Sequence, residues 1–94
     1  MATVIYPTAS KKSNKSIQPI NGEKFTLEEL QKLVGGYIAP IHLPNGDQFI
    51  VNEDGLNLGL EENLEATLIC LKWGVQLESP IVGTVVYCKL GEFE

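Results

Sequence analysis

The chain has 94 residues, 44% hydrophobic and 20% charged, with a formal net charge of −5. These totals describe one small soluble domain with room for a single core, able to bury about 60–65% of its unfolded surface. All seven basic residues are lysines; without an arginine fork for phosphate or guanine, and with a balance that repels polyanions, sequence-specific nucleic-acid binding is not expected.

Residues 3–6 and 17–20 read as two short strands, joined by a Lys/Ser/Asn-rich loop over residues 7–16 that is expected to be flexible. The start, Met1-Ala2-Thr3-Val4-Ile5-Tyr6, lacks the basic residues and long apolar run of a secretory signal, and no segment approaches the roughly 20 apolar residues of a membrane span. An intracellular, cytoplasmic protein is therefore expected. After the Asn21-Gly22 turn, Thr26 and Glu29 have the spacing of a capping box, with Phe25 and Leu30 at staple positions. Leu27, Leu30, Leu33 and Val34 make one apolar face of a first helix, and Gly35-Gly36 supplies its left-handed stop. Residues 37–43 and 48–52 alternate as strands around Pro44-Asn45-Gly46-Asp47, where Asn45-Gly46 predicts a type I′ hairpin turn; Pro40 suits an edge. A second helix is predicted over about residues 62–72, with Leu64, Leu68 and Leu71 on its core side and Glu61, Glu62 and Glu65 complementing its dipole. Residues 81–90 form an apolar, β-branched run typical of a central strand. The order β-β-α-β-β-α-β predicts a single α+β domain over residues 1–94. It should have an antiparallel or mixed sheet of about five strands, both helices packed on one face, and residues 91–94 as a tail.

The sequence carries little reactive chemistry. His42 is the only histidine, and a nucleophilic pair would have to join it to Cys70 or Cys88, both in apolar stretches that predict buried free thiols. The ligand spacing of a zinc site is missing, and Gly35-Gly36 follows a helix rather than preceding one, the wrong order for a phosphate loop. No catalytic residue, metal or cofactor is expected.

The run Leu30-Gln31-Lys32-Leu33-Val34-Gly35-Gly36-Tyr37-Ile38, with Leu43-Pro44-Asn45-Gly46 and Val51-Asn52-Glu53-Asp54-Gly55, resembles a small uncharacterised family. That family is found on bacteriophages, plasmids and other mobile elements and in some bacterial genomes. Leu58-Gly59-Leu60, Asn63, Ala66-Thr67 and Ile81-Val82-Gly83 extend the likeness over roughly residues 26–88. Where that family commonly has a proline after the Gly-Leu step, this chain has Glu61 and Glu62 before Asn63. The resemblance implies a small α+β domain in a phage or mobile-element setting, with no catalytic residue to carry over.

Small proteins of that setting that act on a host often do so by stoichiometric binding. The leading expectation is an anti-defence sponge that sequesters a nucleotide-derived signal in a pocket between subunits of a homo-oligomer. Tyr37, Trp73 and Tyr87 would stack on bases, Asn52, Asn57, Asn63 and Thr67 would meet polar edges, and Lys11, Lys12 and Lys15 form the densest positive patch. The alternative is a protein-binding inhibitor of a host defence protein, or a purely structural interaction module, using an exposed apolar patch or strand edge.

Overall fold

The computed structural model describes residues 2–10 and 12–93. Its elements run β1 (Ala2–Ile5), β2 (Lys15–Ile17), α1 (Leu27–Val34), β3 (Ile38–His42), β4 (Gln48–Asn52), α2 (Leu64–Lys72) and β5 (Val85–Cys88). The strands form a fully antiparallel five-stranded sheet in the order β2-β1-β5-β4-β3. The α+β class and the element order are those the sequence predicts. The last strand in the chain takes the centre, in keeping with its continuous apolar run.

Local instructions explain α1. The Thr26 hydroxyl accepts from the Glu29 amide at 3.2 Å while Glu29 Oε1 accepts from the Thr26 amide at 2.9 Å, completing the capping box. Phe25 and Leu30 are both buried in one cluster, as a staple requires. Gly35 ends the helix at φ 83°, a left-handed conformation that costs a residue with Cβ energy. Replacing Thr26 with alanine is expected to lower stability by about 1 kcal/mol in urea denaturation, with the m-value unchanged.

The β3–β4 hairpin keeps the predicted strands but not the predicted turn. Among the described residues no non-glycine has positive φ, so Asn45 is not in the conformation a type I′ turn needs. The Gly46 amide instead donates to Leu43 O at 3.0 Å, and Leu43 N donates to Asp47 O at 2.9 Å. Pro44 and Asn45 thus form the centre of a tight turn, and Gly46, at φ 92°, absorbs the left-handed step that follows. Proline fixes φ near −65°, which rules out the mirror-image turn at its own position and favours this three-residue loop.

The helices do not share a face. Pairing register puts Ala2, Ile50, Val86 and Cys88 on one side of the sheet, where they pack with Phe25, Leu30 and Val34 of the α1 region. Ile5, Phe49 and Val85 point the other way and pack with Ala66 and Cys70 of α2. The expected one-sided arrangement is therefore corrected to a sheet between two helices, one on each face. A period of two along β4 and β5, with both sides apolar, requires this: each face needs its own cover.

The orientation of α2 is also the reverse of that expected. Leu64, Leu68 and Leu71 are each about half exposed, at 50%, 56% and 53%, while Ala66, Thr67 and Cys70 are buried. Two causes set the rotation. The sheet face below carries the bulky Phe49, with Ile41, Val51 and Tyr87 at its margin, and small helix residues, Ala66 and Cys70, fill the space left over it. Polar bonds from Asn63 and Thr67, on the same side as Ala66 and Cys70, then hold the helix in that rotation. The Glu61-Glu62 segment is zipped against residues 81–83. Gly83 N donates to Glu61 O at 2.7 Å, Glu62 bridges Val82, and Asn63 N donates to Ile81 O at 2.8 Å.

Candidate functional site

Three of the four neutral polar residues singled out in the sequence, Asn52, Asn63 and Thr67, are used inside the fold. Asn63 is fully buried: its Nδ2 donates to Ile5 O and Gly83 O, each at 2.9 Å, and its Oδ1 caps α2 by accepting from Ala66 N at 3.1 Å. Thr67 Oγ1 donates to Asn63 O and accepts from Ile81 N, both at 2.9 Å. Asn52, also buried, donates from Nδ2 to Val34 O at 3.1 Å and accepts from Asp54 N at 2.8 Å, capping the end of α1 from β4. These three side chains tie strands to helix ends.

Tyr87 belongs to another, half-buried knot. Its hydroxyl donates to Asp47 Oδ2 at 2.8 Å, and its ring meets Phe49 edge to face with centroids 5.0 Å apart. Asp47 Oδ2 also accepts from Asn45 Nδ2 at 2.9 Å, and Oδ1 accepts from Leu90 N at 2.8 Å. Burial by itself pushes the Asp47 carboxyl up, but the bonds from Tyr87, Leu90 and Asn45 outweigh it and hold the group below the usual range. Burial, and then the bond to Asp47, raises the Tyr87 phenol.

The remaining candidates are accessible and scattered. Tyr37 is 68% exposed, Trp73 is 40% exposed at the end of α2, and Asn57 is exposed in the loop before it. Lys12 holds its Nζ 5.3 Å from the Tyr6 ring centroid, and Lys15 is exposed on β2. Lys11 lies outside the described residues. A shallow cleft of about 360 Å³ includes Asn52, Asn57, Gln76 and Ser79, but Glu53 and Glu78 line it too. It brings together two of the predicted polar residues, Asn52 and Asn57, and none of the predicted aromatics or lysines.

The thiols are free and buried. Burial raises Cys70 to about 11; burial, then the charge of Glu92, raises Cys88 to about 12. His42 is exposed on edge strand β3 and, through Gln48, lies two strands from Cys88. That spacing is about 9–10 Å, beyond hydrogen-bond reach. Among the described residues no three His, Cys, Asp or Glu side chains gather as a metal site, and no helix is long and apolar enough to cross a membrane.

A larger groove, of about 530 Å³, opens between the end of β2 and α1. Ile17, Ile20, Phe25 and Leu33 supply its apolar lining, and Glu28 and Lys32 stand at its rim. The predicted strand over residues 17–20 hides it, because β2 begins at Lys15, inside the predicted loop. The strand stops at Ile17, ahead of Pro19, which has no amide to give a ladder. Proline two residues past an isoleucine was the signal available.

A family model described as a domain of unknown function, DUF3846, matches residues 3–94. The chain belongs to that family. The DUF3846 match runs from β1 to the tail and so takes in the sheet, both helices and the groove as one unit. No curated protein and no solved structure matches the chain.

Proposed function

We propose that this DUF3846 protein is a non-enzymatic binder that acts stoichiometrically, covering another protein through the groove between β2 and α1. Its resemblance to a family carried by phages, plasmids and other mobile elements supports a host-cytoplasm setting in which the covered partner is a defence protein. The observation that carries this reading is Ile20. Its side chain is 89% exposed, yet its amide is fixed by a 2.9 Å bond to Glu29 Oε2, so an apolar anchor is held out to solvent in one place. Beside it lies the apolar groove with a rim of both charge signs, the anatomy of a protein interface. The neighbouring edge strand is three residues long and carries Lys15, which discourages strand addition, so the groove does the holding.

Sequestration of a nucleotide-derived signal is the second reading, favoured by the neutral hydrogen-bonding groups Asn57, Gln76 and Ser79 around the smaller cleft. It ranks lower because Glu53 and Glu78 would face any phosphate there. Thermal-shift screening with cyclic nucleotides and ADP-ribose derivatives separates the two. A sequestered ligand at a hundred times its dissociation constant adds about 2.7 kcal/mol of stability, and binding of another protein predicts no shift with any of them. Ile20→Glu is expected to weaken a partner recovered from host lysate by about tenfold or more while leaving the melting temperature unchanged. A nucleotide shift, or undiminished capture by the Ile20→Glu variant, would reverse the order.

A further inference from the structure

Helix α2 is apolar on two sides. Its small residues meet the sheet, while Leu64, Leu68 and Leu71 stand half exposed on the outer surface of the same nine-residue helix. At 100° per residue these leucines fall within about 60° of one another, a single stripe. Trp73, 40% exposed, follows at the helix end. A helix with two apolar faces is ordinarily covered on both.

The charges beside the stripe indicate what covers it. Glu65, in the first turn, and Lys72, in the last turn, are both exposed. Seven residues apart, they lie within about 20° of each other on one flank of the leucines. Consider a second copy of α2 laid antiparallel across the first, about a two-fold axis passing between Leu68 and Ile69. The rotation keeps the charged flanks on the same side and reverses their direction, so Glu65 comes level with the partner's Lys72 and Lys72 with the partner's Glu65. The leucines of the two copies then interleave along the axis. One arrangement satisfies both charges twice and opposes the two helix dipoles favourably. A parallel pairing would put the two charged flanks on opposite sides of the seam and leave Glu65 and Lys72 of each copy without a partner across it.

We infer that the outer face of α2 is a homodimer interface, in which two copies pack their Leu64/Leu68/Leu71 stripes antiparallel with reciprocal Glu65–Lys72 pairs. Asn14 donates from Nδ2 to both Glu65 carboxylate oxygens at 3.0 Å, a neutral partner that leaves the carboxylate its charge. The stripe is on the sheet face opposite α1, so dimerisation leaves the Ile20 groove open, and the inference does not depend on the function proposed above. Three half-exposed leucines and one tryptophan make a patch below the roughly 800 Å² per partner of a standard interface, so the dimer is expected to be concentration-dependent.

Sedimentation and light scattering test it. The wild-type chain, 10.3 kDa, should approach twice that mass at about 100 µM. Leu68→Glu should raise the dimer dissociation constant about tenfold or more while keeping the far-ultraviolet spectrum, because the side chain leaves no core. Glu65→Lys and Lys72→Glu chains should each dimerise poorly alone, with like charges facing, yet form a mixed dimer close to wild-type affinity when combined. A monomeric wild-type chain at about 100 µM, a dimer indifferent to Leu68→Glu, or no recovery on mixing would each overturn the inference.

Discussion

Replacing Asn63 with alanine is expected to destabilise the protein by about 4 kcal/mol, a large share of what a domain this size has. The substitution removes the cap on α2 and leaves the Ala66 amide without its acceptor. It also withdraws the side-chain amide that donates to both Ile5 O and Gly83 O, in a place with no solvent access. A lost cap costs about 1 kcal/mol, and each stranded buried group a further 1–3. At about 4–8 °C per kcal/mol the midpoint should fall by roughly 15–30 °C in a circular-dichroism melt. Asn63→Asp discriminates between roles. Aspartate is as good a cap as asparagine, but here it would turn carboxylate oxygens toward two carbonyls, so it should do no better than alanine. If Asn63→Asp were instead close to wild type, bridging from α2 to β1 and the β5 approach would not be what the side chain contributes.

Asp47→Ala should cost about 3 kcal/mol, because it removes at once the acceptor of the Tyr87 hydroxyl, the Leu90 amide and the Asn45 side-chain amide. The effect should depend on pH in a predictable sense. Asp47 is held below the ordinary carboxylate value when folded, so the unfolded chain takes up its proton first as acid is added. The stabilisation is complete above the unfolded value, near pH 4, and is lost as pH falls through the folded one. Urea midpoints of wild type and Asp47→Asn should therefore differ at pH 7 and converge at acid pH. A gap that stayed constant would show that the carboxylate's charge is not involved.

Features that depend on neighbours a few residues away could be read in the sequence. The Thr26–Glu29 box, the Gly35 stop and the β4 limits are local, and each is present. What could not be read is which side of α2 meets the sheet. The chain offers both a stripe of large leucines and a stripe of Ala66, Thr67 and Cys70, and size favours the first. The choice is made by groups far away in sequence, the carbonyls of Ile5 and Gly83 and the bulk of Phe49. The same distance in sequence hides the roles of Asn52 and Asn63. An asparagine beside a turn has the composition of a binding group and of a cap alike, and only its partners at Val34, Ile5 and Gly83 distinguish the two. The groove was missed for a smaller reason, a strand placed over residues 17–20 where β2 spans Lys15–Ile17.

Because β5 sits between β1 and β4, a growing polypeptide cannot join its first hairpin to its second until residues 85–88 have left the ribosome. Up to then Ile5, Phe49 and Ile50 have no central strand to close against, and both greasy layers stay open. Folding of this domain thus waits on β5 and comes as an all-at-once collapse rather than a stepwise one, and a nascent product halted before Val85 is a natural client for chaperones.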